Sequence, residues 1–205
     1  SHKHPLYEAS ISSLKEEMKR AHLLGIKFVI AHTGKSTSSD KKSATQQIIK
    51  ALNESLFCVD NGVIILLENT AGQGSEIGNR IEELGEIMDK ITIKNRIGLC
   101  LDTAHAFQAG YKINEMEGLN MLIEKIDARI GIEKLFVLHL NDSKTPCGSR
   151  IDRHWHIGKG EIGVEGFRNI VNHPLLSHLP GIMETPRSGD ADDIKNMKTI
   201  KSLVC

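Results

Sequence analysis

Five apolar runs in this sequence each end in a side chain that can bind a metal ion. The residues at the run ends are His32, Glu68, Asp102, His139 and Glu184. Short aliphatic runs of this kind are typical of buried parallel strands. Because the carboxyl ends of the strands in a (β/α) barrel share one face, we expect these side chains to meet in one pocket. Mixed imidazole and carboxylate ligands suit Zn²⁺ or Mn²⁺, so the sequence predicts a metal site.

Further residues of the same chemical types accompany these runs. His105 follows Asp102 closely, and Asp152 and His154 lie in the polar loop after the fourth run. Two positions apart in an extended segment, Asp152 and His154 would point the same way. These residues are more ligands than one metal ion needs, which predicts a multinuclear site. Closely spaced metals are typical of enzymes that hydrolyse phosphate esters.

Each candidate ligand also has a simpler explanation. His32 could be an ordinary polar residue at a strand end, and Asp102 could cap a following helix. Glu184 could act as a cap or pair with Arg187, and the loop pair Asp152 and His154 could be exposed polar residues. The joint occurrence of these residues at successive run ends favours the metal site.

The apolar runs alternate with helical segments. Strands are predicted at 27–31, 63–67, 96–101, 135–138 and 180–183. Helices are predicted at 7–24, 40–59, 77–89, 116–130, 165–172 and 191–203, with a polar loop at 33–39. This order indicates the α/β class with a parallel sheet. Five strands do not close an eight-stranded barrel, so we expect either an open sheet or a TIM (β/α)8-type barrel whose first strands lie upstream.

Composition narrows the classes of function. The 205 residues, 40% of them hydrophobic, suffice for one domain, which we place at 1–205. Lys plus Arg and Asp plus Glu both total 26, so any contact with phosphate must be local. The 4 cysteines form no CxxC pair, which predicts a reducing intracellular compartment: bacterial cytoplasm, nucleus or mitochondrion. No apolar run has membrane-spanning length and no signal peptide is recognisable, so we expect no membrane association.

Several sequence blocks resemble the signature blocks of the endonuclease IV family of apurinic/apyrimidinic endonucleases. These blocks are ENTAGQGSEIG, CLDTAHAFQAGY, LHLNDSKTPCGSRIDRHWHIGKGEIG and METP. The resemblance runs from His4 almost to the C-terminus. It implies a TIM barrel with a trinuclear zinc cluster that cleaves duplex DNA 5′ to abasic sites in base-excision repair. Trimming of 3′ ends is left open.

The same resemblance implies a role for each candidate ligand. Glu68 would bridge two zincs and position the attacking hydroxide, and His32 would bind the first of these zincs. The second zinc would be completed by Asp102, His139 and Glu184. The third zinc would be held by His105, Asp152 and His154. Mn²⁺ is an alternative to Zn²⁺ in these sites.

Basic residues are also present in the loops expected at the same face. They are Lys35, Lys144, Arg150, Arg153 and Lys159. We expect them to bind the phosphodiester backbone of double-stranded DNA. Ordinary solvated surface charge is the simpler alternative.

The sequence departs from the family at its start. Family members begin with three further strands, the last of which supplies another zinc-binding histidine. The first zinc would therefore have only His32 and Glu68 from this chain. This departure favours one alternative, a truncated, catalytically weak or inactive metal- or DNA-binding homologue. A second alternative is a xylose-isomerase-like sugar isomerase or epimerase, which also uses carboxylates and histidines at strand ends. Full-length members are expected to be monomers, whereas a partial barrel with exposed strand edges would need a partner or would aggregate.

Overall fold

The computed structural model describes residues 4–36 and 40–205, so the predicted loop at 33–39 is described only as far as residue 36. Helices and strands alternate along most of the chain. In order, they are α1 (His4–Leu23), β1 (Phe28–His32), α2 (Lys41–Cys58), β2 (Ile64–Glu68), α3 (Ile81–Asp89), β3 (Ile97–Asp102), α4 (Thr103–Ala109), α5 (Met116–Arg129), β4 (Leu135–His139), β5 (Asp142–Ser143), β6 (His154–Trp155), α6 (Gly163–Asn172), β7 (Gly181–Ile182) and α7 (Asp190–Leu203). Within the described ranges, no helix has the length and hydropathy of a membrane span.

Among the described residues, the main sheet has five strands in the order β1-β2-β3-β4-β7. All of its pairings are parallel, which confirms the predicted α/β class. The register aligns the carboxyl ends of neighbouring strands. His32 lies opposite Glu68, and Asp102 lies opposite His139. The candidate ligands therefore start from adjacent backbone positions.

The central strands are buried, as their continuous apolar runs predict. Every residue of β3 is buried, and in β2 and β4 only one residue each is partly exposed. The helices cover one face of the sheet, where Leu84 of α3 and Leu122 of α5 belong to the main core. A smaller cluster on the strands consists of Leu66, Cys100 and Val137. Packing of this kind fixes the strands relative to one another, and with them the residues at their ends.

Two elements are shorter than the sequence predicts. The helix predicted at 77–89 begins only at Ile81, because Gly78 has a φ of 95° and cannot continue a right-handed helix. The backbone here bonds across to other loops, with Ile77 N donating to Gly34 O at 3.1 Å. The strand predicted at 180–183 is reduced to Gly181–Ile182, which forms one outer edge of the sheet and is exposed.

The sequence interpretation missed helix α4 and the small β5–β6 hairpin. Helix α4 begins directly after β3 because the Asp102 side chain accepts a hydrogen bond from His105 N at 2.8 Å. Gly110, with a φ of 110°, ends this helix. The hairpin joins Asp142–Ser143 to His154–Trp155 in antiparallel pairing. Both elements lie at the carboxyl edge of the sheet and carry candidate ligands.

A buried arginine connects backbone groups at the opposite edge of the sheet, where the strands begin. Arg96 precedes β3 and is only 5% exposed. Its guanidinium donates to the backbone carbonyls of Val63 at 2.9 Å, Val59 at 2.7 Å and Leu56 at 3.2 Å. Arg96 thus satisfies carbonyl groups at the end of α2 that would otherwise be buried without a donor.

Candidate metal centre

The predicted metal ligands lie together at the carboxyl edge of the main sheet. His32, Glu68, Asp102 and His139 are the last residues of β1, β2, β3 and β4, and Glu184 follows β7. Of the other candidates, His105 lies on α4, Asp152 lies two residues before β6, and His154 is the first residue of β6. Asp102 acts both as the cap of α4 and as a member of this cluster, so its simpler explanation and its candidate role are compatible.

One group of ligand atoms surrounds His139. Its Nδ1 atom lies 3.0 Å from Glu68 Oε1, 3.2 Å from Glu184 Oε2 and 3.8 Å from Asp102 Oδ2. Each residue of this group offers one ligand atom, and these atoms all lie within 4.8 Å of one another. Glu184 therefore faces His139, whereas Arg187 pairs with Asp190 and Asp193. The alternative pairing of Glu184 with Arg187 is wrong.

A second group is formed by His105, Asp152 and His154, and Asp102 also lies within reach of its two histidines. The two imidazole Nε2 atoms are 3.2 Å apart, and Asp152 Oδ1 lies 3.4 Å from that of His105 and 3.6 Å from that of His154. Both Nδ1 atoms face backbone carbonyls: His105 Nδ1 is 3.0 Å from Asn69 O, and His154 Nδ1 is 3.1 Å from Glu184 O. Only a protonated Nδ1 can donate to a carbonyl, so in the neutral imidazoles both Nε2 atoms carry lone pairs.

This geometry fits a bound cation. Two opposed Nε2 lone pairs at 3.2 Å repel each other unless a proton or a metal ion lies between them. Imidazoles whose second nitrogen donates to a carbonyl or carboxylate are the usual histidine ligands of metals. The arrangement of His105, Asp152 and His154 is therefore one that a divalent metal would stabilise.

The third group is smaller and centres on Glu68. Its Oε2 atom lies 3.0 Å from His32 Nε2, while its Oε1 atom lies 3.0 Å from His139 Nδ1 and 3.4 Å from His105 Nδ1. Each carboxylate oxygen thus faces a different set of histidines. Glu68 is almost fully buried, whereas 52% of the His32 side chain is exposed.

The charges in the cluster are strongly coupled. Burial alone would raise the pKa of Glu68, but hydrogen bonds with His105, His139 and His32 outweigh it and hold that pKa well below its usual range. Burial would likewise lower the pKa of His105, yet the neighbouring Asp102, Asp152 and Glu68 raise it to about 11. Contact with His139 lowers the pKa of Glu184. Converging carboxylates thus favour positive charge at this site, whether it is carried by the histidines or by a bound cation.

Two asparagines that the sequence interpretation left without a role hold the ligands in place. Asn69 pairs with the backbone of Asp102, accepting from its N–H at 2.7 Å and donating to its carbonyl at 3.0 Å. Asn141 donates to Asp102 Oδ2 at 2.6 Å and accepts from Glu184 N at 2.7 Å. The signal in the sequence was their position close behind strand-end ligands, since Asn69 follows Glu68 directly and Asn141 follows His139 by two residues.

The basic residues expected to bind DNA all have exposed side chains. Lys35 is paired with Glu76 at 3.3 Å, and Lys144 Nζ lies 4.1 Å from the centre of the Trp155 ring. Arg153 donates to the carbonyl of Asp152 at 3.2 Å. Arg150 lies in the loop between β5 and β6, and Lys159 lies in the loop between β6 and α6. These positions agree equally with DNA contacts and with solvated surface charge.

Known proteins match this chain along nearly all of its length. Residues 1–203 match the AP endonuclease 2 family, described as a xylose isomerase-like TIM barrel. A probable endonuclease 4 from Halothermothrix orenii is 44% identical over 197 residues, covering 96% of this chain and 71% of the relative. A probable endonuclease 4 from Methanoculleus marisnigri is 39% identical over 199 residues, covering 97% of this chain and 71% of the relative.

Solved structures lead to the same family. The crystal structure of endonuclease IV from Thermus thermophilus superposes with a TM-score of 0.84 at 33% identity, covering 98% of this chain and 70% of that chain. The predicted TIM-barrel class is thereby confirmed for the parallel sheet and its helices. The chain belongs to the AP endonuclease 2 family, as the resemblance of its motifs to those of endonuclease IV predicts.

Proposed function

We propose that this chain is a zinc-dependent nuclease that hydrolyses the phosphodiester 5′ to abasic sites in duplex DNA. The names of its relatives support an apurinic/apyrimidinic endonuclease role in DNA repair. The observation that carries the metal dependence is the opposed pair of Nε2 atoms of His105 and His154, 3.2 Å apart beside Asp152. Trimming of 3′ ends by the same site is part of the proposal as a secondary activity.

The ligand groups suggest how metals would be shared. Glu68 would lie between a metal on His32 and a metal on Asp102, His139 and Glu184, because its two oxygens face these sets separately. His105, Asp152 and His154 would hold a further metal. Mixed nitrogen and oxygen ligands favour Zn²⁺, with Mn²⁺ as the alternative. Metals bound here would supply Lewis acidity and an activated water for attack on a phosphodiester.

The protein's own residues would orient this chemistry. The Nδ1–H groups of His105 and His154 donate to the carbonyls of Asn69 and Glu184, which keeps both Nε2 atoms aimed into the site. Asn141 holds the carboxylate of Asp102 and the backbone of Glu184 at fixed positions. Preorganised groups of this kind need no rearrangement when substrate charge develops.

DNA contacts would come from the loops around this edge. We assign backbone phosphate binding to Lys35, Lys144, Arg150, Arg153 and Lys159, whose side chains are exposed. Their role is electrostatic and independent of DNA sequence, since phosphate contacts position a protein without reading bases. The zero formal net charge means that this binding would depend on local placement of charge.

The direct test is incision of a short duplex that carries one abasic analogue. We expect a single cut 5′ to the analogue, loss of the cut after treatment with a chelator, and recovery on addition of Zn²⁺. Glu68→Gln should be inactive, whereas Glu86→Gln, at an exposed position of α3, should behave as the unchanged chain.

Other outcomes of this experiment separate the alternatives. Zinc binding and DNA binding without incision would identify a non-cleaving homologue. Turnover of a ketose sugar, with no effect on DNA, would identify an isomerase or epimerase of the xylose isomerase-like class. Incision that persists in the metal-free chain would refute the metal dependence.

A further inference from the structure

Asp142 is a fully buried carboxylate that lies beside the metal centre without being part of it. It is 0% exposed, and among the described residues it belongs to no group that could hold a metal ion. Backbone amides supply its hydrogen bonds instead. A carboxylate withdrawn from water is costly unless several donors meet it, so its position calls for a structural explanation.

The carboxylate clamps a loop that follows β6. Asp142 Oδ1 accepts hydrogen bonds from Ser143 N at 2.8 Å and Ile162 N at 3.0 Å, and Oδ2 accepts one from Gly160 N at 2.9 Å. Because donors approach both oxygens, an acceptor-only side chain is required here, and an asparagine would place its amide group against an N–H. Burial raises the pKa of Asp142 against the opposing effect of these amides.

The loop backbone lies directly against this carboxylate. A Cβ atom added at Gly160 would lie 2.6 Å from Asp142 Oδ1 and 2.2 Å from Ser143 O. Such distances are far inside van der Waals contact, so only glycine fits without movement. Asp142 and Gly160 therefore form one close contact that either residue can disrupt.

Asp142 is also the first residue of the hairpin that carries the candidate ligands Asp152 and His154. Asp142 pairs with Trp155 and Ser143 pairs with His154 in the β5–β6 register. On the other side, Gln108 Nε2 donates to Ser143 Oγ and to Arg153 O, both at 3.0 Å. Gln108 therefore holds the segment just before β6, and Asp142 holds the loop just after β6.

We propose that Asp142 is a positioning residue for the metal group of His105, Asp152 and His154. By fixing Gly160 and Ile162, Asp142 holds β6 in the position at which His154 Nε2 lies 3.2 Å from His105 Nε2. Glu68, Asp102 and His139 are instead the last residues of β2, β3 and β4, and none of the hydrogen bonds of Asp142 described above reaches them. The inference rests on the proposed function only in requiring that the chain binds zinc.

The test is a zinc titration of the metal-free full chain against a chromophoric chelator. We expect Asp142→Asn to keep the wild-type circular dichroism spectrum while one zinc binds roughly 10- to 100-fold more weakly, the usual scale for loss of a group that supports a ligand. Gly160→Ala should cause the same selective loss through its added methyl group, without changing Asp142. The matched control is Arg96→Gln, which removes buried hydrogen bonds at the opposite edge of the sheet and should lower the melting temperature without altering zinc affinity.

Each result decides a different point. Selective weakening of one zinc in both Asp142→Asn and Gly160→Ala supports the inference. Wild-type zinc number and affinity in both variants would overturn it and leave the proposed function intact. Equal zinc loss in Arg96→Gln would also overturn it, because the effect would then follow from stability alone. An unmodified chain that binds no zinc would refute both the inference and the metal-dependent function.

Discussion

The two sides of the candidate metal centre are built differently. On the side of β3, β4 and the hairpin, 2% of the His105 side chain and 16% of the His154 side chain are exposed, and both rings are anchored to backbone carbonyls. On the side of β1, 52% of the His32 side chain is exposed, and its ion-pair partner is Glu68. Strand β1 is one of the two outer strands of the main sheet, and a groove of about 810 Å³ lies beside it between α1 and α2.

This difference indicates where metal binding is preorganised. Ligands fixed before the metal arrives lose little conformational freedom on binding, so they bind more tightly than ligands that must be ordered. We therefore expect the groups around His139 and His154 to bind first. The group of His32 and Glu68 should bind more weakly or depend on additional ligands.

Replacement of Glu68 should reduce DNA incision more than any other change, because Glu68 joins the two sides of the metal centre. Glu68→Gln replaces an oxygen that faces His32 or His139 with an amide nitrogen that cannot bind a metal. We expect incision to fall by roughly 1000-fold, the scale for removal of a preorganised electrostatic group. Initial rates on the abasic duplex measure this effect. An activity within a few-fold of Glu86→Gln would contradict the bridging role.

Removing one histidine from each side tests the comparison itself. His154→Ala should abolish binding of one tightly held zinc, whereas His32→Ala should leave the tightly held zincs in place. Elemental analysis after exhaustive dialysis measures both, with the exposed His178→Ala as the matched control. If His32→Ala loses more zinc than His154→Ala, the assignment of the stronger side is reversed.

The stability of the metal-free chain should fall as the pH rises. Neighbouring carboxylates raise the pKa of His105 above the ordinary value of 6.5, and contacts with Cys100, Glu184 and Glu68 outweigh burial and raise that of His139. Their protonated forms therefore stabilise the folded state fully below that value and lose this contribution as the pH rises toward the folded-state pKa. The melting temperature in chelator should therefore drop as the pH rises from about 6.5 to about 11, and the drop should shrink with Zn²⁺, which replaces the protons. A melting temperature that does not change with pH in chelator would contradict the coupling between these histidines and their neighbours.

The smallest effects should come from single basic residues. Lys159→Ala should weaken binding to all duplexes alike and reduce the slope of log affinity against log salt by about 0.9, the value for one phosphate contact. Lys35→Ala should do less, because Glu76 lies 3.3 Å from Lys35 and already offsets its charge. Fluorescence anisotropy at several salt concentrations distinguishes the two. Unchanged slopes in both variants would identify these residues as solvated surface charge.

The sequence predicted the parts of this structure that follow from local patterns. Apolar runs located β2, β3 and β4, and the polar residue after each run placed the ligands at one edge, since parallel strands share their direction. Helix α3 was predicted one turn too long, because the left-handed conformation of Gly78 cannot be read from helical periodicity. Asp152 and His154 were selected from residue type and spacing, but the hairpin that joins them to Ser143 depends on contacts distant in sequence.

The most direct test of the metal centre is a crystal structure of the zinc-loaded chain with anomalous data at the zinc edge. We expect one peak bounded by His105 Nε2, His154 Nε2 and Asp152, and another among Glu68, Asp102, His139 and Glu184, with any peak at His32 the weakest. The absence of peaks at both groups, or zinc bound only elsewhere on the surface, would contradict the proposed metal centre.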